Sequence, residues 1–172
     1  MTAFIHASAE VSPDAILGDD AMIWNWTKIR EHAHIGANVN VGQNVYIDHG
    51  VSIGEGSKIQ NGVNIYAGVT IGKDVFVGPS VTFTNDLYPR ASGQWEITET
   101  VIEDGVSIGA NSTIVCGVRL GAGCLIGAGT VVIRDVGPGE LVVGNPARCV
   151  GHVDAAGNRV LDSSENRIER AS

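Results

Sequence analysis

Aliphatic or aromatic residues recur at every sixth position from Ile5 to Phe83, fourteen times without a miss, through Ile23, Val41, Ile59 and Val77. After a break the period resumes at Ile102 and runs through Ile108, Ile114, Leu120 and Ile126 to Val132, giving twenty hexads. A second column stands four residues after each of these, as in Ala21, Val39, Val63 and Val81, and later Val106, Val118 and Cys124. Position i+4 lies two residues before the next i, so both columns point to one side of an extended strand. Position i+3 is Gly, Asn or Asp in fifteen of nineteen hexads, residues that tolerate the positive φ of a sharp corner.

Short flat strands with a corner every six residues predict a parallel β-helix. One such strand cannot bury its apolar side alone. Three bent into a triangle face their columns inward, and the next coil covers the open edge. Three hexads per coil give between six and seven coils, and residues eighteen apart should stack. The composition agrees. The chain holds 22 Val and 17 Ile against 6 Leu, which excludes an all-helical fold, and its 23 Gly carry no Gly-x-y period, which excludes collagen.

The repeat breaks at residues 84–101, where Asn85, Asp86, Tyr88, Arg90 and Trp95 gather in a chain otherwise poor in aromatics. A protruding segment of that content is a candidate binding loop. A second irregular patch, Ile23-Trp24-Asn25-Trp26-Thr27-Lys28-Ile29-Arg30-Glu31-His32, sets Trp26 and His32 at corner positions and points Trp24 outward. Either a subunit contact or a wall of a substrate site accounts for it.

Runs such as Ile53-Gly54-Glu55-Gly56-Ser57-Lys58 and Ile71-Gly72-Lys73-Asp74-Val75-Phe76 resemble the hexapeptide-repeat acyltransferases, over residues 5–148. The resemblance implies a left-handed coil. Phe83-Thr84-Asn85-Asp86-Leu87-Tyr88-Pro89-Arg90 is similar to the loop of nucleotide-linked 3-amino-sugar N-acetyltransferases. So are Ile59-Gln60-Asn61-Gly62-Val63-Asn64-Ile65-Tyr66, the segment Ser107 to Gly117, and Val143-Gly144-Asn145-Pro146-Ala147-Arg148. Where members often carry histidines, this chain has Asn25 and Lys28.

That resemblance implies acetyl-CoA as donor, a homotrimer with sites between neighbouring prisms, and a nucleotide-diphosphate-linked 3-amino sugar as acceptor. It places Asn85 at the acceptor amine, with Asp86 beside it. An amide is no base, but its carbonyl accepts an N–H and aims the nitrogen lone pair; the departing CoA sulfur is then the final proton acceptor. Arg30, Glu31, His49, Tyr66, Tyr88 and Arg90 are the substrate-binding candidates, with Arg30 and Arg90 suited to a diphosphate or a uronate carboxylate. Gly109, Ala110, Gly127 and Ala128 leave room for a pantetheine chain, and Arg134, Pro146 and Arg148 stand nearest for the CoA phosphates. A UDP-linked 2-acetamido-3-amino-2,3-dideoxy-glucuronate is the favoured acceptor and a dTDP-linked 3-amino-3,6-dideoxyhexose the alternative, in either case for surface polysaccharide precursors.

The remaining readings are exclusions and rivals. The net charge of −8, from 11 basic and 19 acidic residues, offers no footprint for nucleic acid or for an anionic membrane. The first residues carry neither a basic stretch nor a long apolar run, and the three cysteines form no C-x-x-C pair, so a cytoplasmic location is expected. A carbonic anhydrase would need three converging histidines, and the spacing of His6, His32, His34, His49 and His152 does not supply them, so no metal is expected. A non-catalytic β-helix scaffold is the rival of another class, and it has no need of the loop. Residues 149–172 are expected to form a hairpin with a Gly157-Asn158 turn, through Leu161, and then a polar tail.

Overall fold

The computed structural model describes residues 2–93 and 96–160. Twenty short strands, from Phe4–Ile5 to Val131–Val132, wind into three parallel sheets that form the sides of a prism. Phe4 pairs with Met22, Lys28 with Tyr46 and His34 with Ser52, each eighteen residues on, as the hexad count requires. The first face gains one rung beyond the hexads, because Glu140–Val143 pairs in parallel with Leu125–Ile126. It therefore carries eight parallel rungs, one more than twenty hexads foresee.

Both inward columns are buried from Ala21 and Ile23 onward. The first coil differs. Ile5 is exposed and Val11 and Leu17 only half-buried, since no coil lies beneath them. The polar members of the inward column are satisfied internally: the hydroxyls of Thr27, Ser57 and Ser112 donate to the carbonyls of Gly42, Gly72 and Gly127 at 2.6, 3.0 and 3.0 Å. Most corners take positive φ, even where the residue is not Gly, Asn or Asp, as at Trp26 (58°), His32 (59°) and Ser80 (59°).

The loop sits between the second and third faces. Ile71 pairs with Ile102, 31 residues on rather than 18, so the excursion adds thirteen residues to one coil. Thr84 still donates its N–H to Ile114 and Thr100 already donates to Gly68, which makes the true departure 85–99 rather than 84–101. Trp95 of the expected loop cluster lies outside the described residues. At the far end Arg148–Val153 runs antiparallel to Glu140–Val143, and Arg159–Val160 closes a hairpin on it. The Asp154 carboxylate accepts the N–H groups of Ala156 and Asn158 and so shapes its turn. Leu161 and the tail lie outside the described residues.

Candidate active site

The register of the second face decides what the loop meets. Ile29, Ile47, Ile65, Phe83, Ile114 and Val132 stack in one ladder. Two residues further along each strand, the corner between the second and third faces therefore carries Glu31, His49, Ala67, Asn85, Cys116 and Arg134 in one column. Asn85 closes the neck of the loop, its carbonyl accepting the Thr98 N–H at 3.0 Å. Its carboxamide makes no hydrogen bond to the described residues and is half-buried. The Asp86 carboxylate accepts the Tyr88 N–H at 2.8 Å, which gives it a turn-forming role in the loop. Tyr88 and Arg90 stand in solvent, and among the described residues Arg90 is held only by the Pro89 carbonyl at 2.8 Å.

The return limb is seated by two glycines. A Cβ at Gly68, whose φ is +89°, would lie 2.6 Å from Ile97 Cγ2. One at Gly117 would lie 3.1 Å from Thr98 Cγ2. The Thr84 hydroxyl accepts the Cys116 N–H at 3.0 Å and ties the neck to the coil above.

Below Asn85 the corner carries a polar cluster. Arg30 and Glu31 form a bidentate pair, Nε to Oε2 at 2.8 Å and Nη2 to Oε1 at 2.7 Å. Arg30 Nη1 also donates to the Tyr46 hydroxyl at 3.3 Å and lies 3.7 Å from Asp48 Oδ1. Asp48 is buried and accepts from the Tyr46 hydroxyl at 3.1 Å, the His49 N–H at 2.8 Å and, on its other oxygen, the Ala67 N–H at 3.3 Å. The His49 ring nitrogen Nδ1 is 3.2 Å from the same carboxylate. The Tyr46 and Tyr66 rings pack at 5.6 Å.

The electrostatics follow from these partners. Burial alone would raise the Asp48 carboxyl, but the hydrogen bonds from His49, Ala67 and Tyr46 outweigh it and hold the group below its usual range. Glu31 is lowered to about 2, chiefly by the hydrogen bond from Arg30. The same pairing pushes the Arg30 guanidinium up.

The structure thus brings Arg30, Glu31, His49 and Tyr66 together below Asn85. It does not bring the donor-site candidates into one place. Gly109, Ala110, Gly127 and Ala128 line the corner between the first and second faces, whereas Arg134 stands on the Asn85 corner. Pro146 follows a cis peptide bond in a segment laid over the top of the second face, where the Ala147 N–H reaches the Val131 carbonyl at 2.9 Å. Arg148 is exposed beside it. The two glycines also serve the stack: a Cβ at Gly109 would meet the Ala128 nitrogen at 2.5 Å, and one at Gly127 the Val143 side chain at 2.7 Å. Ala128 is exposed and Ala110 half-buried at that corner.

Tyr46 and Asp48 are not legible as site residues in the sequence. Both occupy ordinary outward positions of the hexad, and only the burial of Asp48 marks it. Among the described residues no group of three or more His, Cys, Asp or Glu side chains could hold a metal ion, and no helix is long and apolar enough to cross a membrane.

A triangular coil of six-residue repeats, each with one short strand, and with one loop thrown out at a corner, defines the class of hexapeptide-repeat β-helices. The chain belongs to the bacterial transferase hexapeptide (six repeats) family, which matches residues 14–49, 32–66, 50–85 and 99–134. It is 47% identical over 57 residues to a 2,3,4,5-tetrahydropyridine-2,6-dicarboxylate N-acetyltransferase from Clostridium perfringens, covering 33% of this chain and 24% of the relative. It is 50% identical over 54 residues to dTDP-3-amino-3,6-dideoxy-alpha-D-galactopyranose 3-N-acetyltransferase from Aneurinibacillus thermoaerophilus, covering 31% and 28%. The matched stretches span about a quarter of these curated relatives. Among solved structures the fold is similar to a point mutant of the N-acyltransferase AntD from Bacillus cereus, in complex with dTDP and coenzyme A. That likeness has a TM-score of 0.54 at 18% identity and covers 87% of this chain and 80% of that one.

Proposed function

We propose that the protein is an acetyl-CoA-dependent N-acetyltransferase acting on the 3-amino group of a nucleotide-diphosphate-linked sugar. The observation that carries this reading is the Asn85 carboxamide, without a hydrogen-bond partner among the described residues, at the neck of a protruding loop on the coil of a transferase family. Its carbonyl accepts one N–H of the acceptor amine and fixes the nitrogen lone pair, which is the positioning that acyl transfer to a weakly basic amine needs. Acetyl-CoA supplies the acyl group, and its sulfur takes up the proton the amine releases, so no side chain has to act as base. Gly109, Ala110, Gly127 and Ala128 hold the pantetheine, and Arg134, Pro146 and Arg148 its phosphate end. Asn85, Tyr88 and Arg90 stand on an open corner with one wall, and a neighbouring prism of a homotrimer supplies the other. The enzyme works in the cytoplasm on precursors of surface polysaccharide.

The uronate acceptor is attractive only if two arginines can meet its carboxylate. Arg30 is already bound by Glu31 and lies beside Asp48, which leaves Arg90 alone for that task. This favours the second acceptor, a dTDP-linked 3-amino-3,6-dideoxyhexose, which also accords with the name of the Aneurinibacillus relative. Thiol release from acetyl-CoA with four acceptors in parallel tests the proposal: the 3-amino uronate, the 3-amino-6-deoxyhexose, a 4-amino isomer and serine. Turnover confined to a 3-amino sugar is expected. Silence on both 3-amino sugars would overturn it.

A further inference from the structure

Away from the Asn85 corner, the edge between the first and second faces carries a groove of about 310 Å³. Its shape comes from one ladder. Residues following Ile23, Val41 and Ile59 stack as Trp24, Gly42 and Gln60. Strands about 4.8 Å apart put Trp24 and Gln60 roughly 10 Å from one another along the coil axis, with the bare backbone of Gly42 between them. The result is a groove with an indole at one end and the Gln60 carboxamide at the other, and over Gly42 the Asn61 Oδ1 takes the place that a Cβ would need.

The indole is pinned. Trp24 Nε1 donates to Asn40 Oδ1 at 2.9 Å, and Phe4 packs against the ring at 5.5 Å between centroids and 58° between planes. Yet Trp24 remains 39% exposed. A tryptophan fixed by two neighbours and still open is a platform for a flat ligand. The carboxamides around it are neutral and only partly used among the described residues. Asn61 uses Oδ1 on the Gln43 N–H at 3.1 Å and keeps its NH2 free, and the Gln60 carboxamide makes no hydrogen bond to the described residues. A carboxamide offers a donor and an acceptor side by side, which is the complement of the polar edge of a nucleobase. Lys58 stands next to Asn40 in the sheet, exposed and outside every ion pair among the described residues. It supplies the cation that a phosphate attached to such a base would need.

We propose that this groove binds the base of a nucleoside diphosphate. The ring stacks on Trp24, Gln60 and Asn61 read its edge, and Lys58 meets the phosphates. A neutral glycan would also suit the indole and the carboxamides, but it would leave Lys58 without a purpose. The inference rests on the nucleotide-sugar reading above only for the choice of UDP and dTDP as probes.

The test is calorimetric titration of the protein with UDP and with dTDP, without acetyl-CoA, alongside the shift of the Trp24 indole N–H signal in nitrogen-15 spectra. Trp24→Ala and Gln60→Ala should each weaken binding of the preferred nucleotide at least tenfold with an unchanged circular dichroism spectrum. Lys73→Ala, at an exposed corner outside the groove, should leave it within twofold. Equal affinity in wild type and Trp24→Ala overturns the proposal. So does a Trp24 signal that ignores both nucleotides, or one that moves only with a neutral methyl hexoside. Because binding is read without turnover, failure of the acetyltransferase assay leaves this test standing, and the reverse also holds.

Discussion

Replacing Asp48 with Asn keeps the side chain's shape and removes its charge and one acceptor. The wild-type carboxylate ties three successive coils together: Arg30 and Tyr46 reach it from below and beside it, and Ala67 from the coil above. Oδ1 serves the His49 and Tyr46 donors, so the amide of the variant must turn its NH2 toward the Ala67 N–H. Ala67 is buried and finds no water in exchange. One buried donor left unsatisfied costs about 1–3 kcal/mol. For a chain of this length each kcal/mol moves the midpoint by about 2–4 °C, so thermal unfolding at pH 7 should fall by roughly 2–12 °C. The pH dependence carries a sign. The Asp48 carboxyl is depressed in the folded state, so its contribution is complete above the ordinary value of 3.8 and is lost as pH falls through the lower folded one. Melting curves of wild type and Asp48→Asn should therefore diverge at pH 7 and converge below pH 3.8. Equal midpoints at neutral pH, or a gap that persists undiminished into acid, would refute the account of the cluster.

Asn85→Ala should lower kcat/KM for the amino-sugar nucleotide acceptor at least tenfold while calorimetric affinity for CoA holds; wild-type turnover would remove Asn85 from the mechanism. Two glycines separate clash from backbone strain. A Cβ at Gly54 would sit 2.5 Å from the Gly72 carbonyl, whereas one at Gly50 meets open space but sits at a φ of +67°. Gly50→Ala should cost about 1–2 kcal/mol, and Gly54→Ala more, since neither backbone can yield; denaturant melts that reverse this order would count against the close coil stacking. The Cys124 thiol is pushed up to about 12, mainly by burial, and Cys116 is buried as well, while Cys149 is exposed. A disulfide reagent at pH 8 should therefore titrate one fast thiol per native chain, and three once the protein is unfolded.

The coil is readable from the chain because its hexad is a packing requirement. A column of Ile and Val every six residues has few other ways to be buried, and corners at Asn38, Gly56 and Asp74 need the φ that Asn, Gly and Asp tolerate. The same logic explains where the pattern misleads. The first coil has inward residues but no floor, so Ile5 obeys the repeat and is exposed. The eighth rung of the first face, Glu140–Val143, obeys no hexad and is held by its neighbour and by the hairpin that covers it. The loop is visible as a break of phase. Its bounds are not, because Thr84 and Thr100 satisfy the ladder while their neighbours leave it.

Side-chain chemistry is harder to read for a reason built into this fold. Burial constrains two of every six positions and the turn constrains one; the rest face outward and answer to nothing local. Tyr46, Asp48, Trp24 and Gln60 all occupy such positions. What joins them is the stacking of residues eighteen or thirty-six apart, which turns scattered polar residues into columns. Arg30 illustrates the consequence. As a lone arginine it suits a carboxylate on the substrate, but one coil higher the stack delivers Asp48 and the Tyr46 hydroxyl to Nη1, and the adjacent Glu31 takes Nε and Nη2. The charge presented at that corner is therefore a property of the column, and a function assigned to any one of its members has to be argued from the rungs above and below.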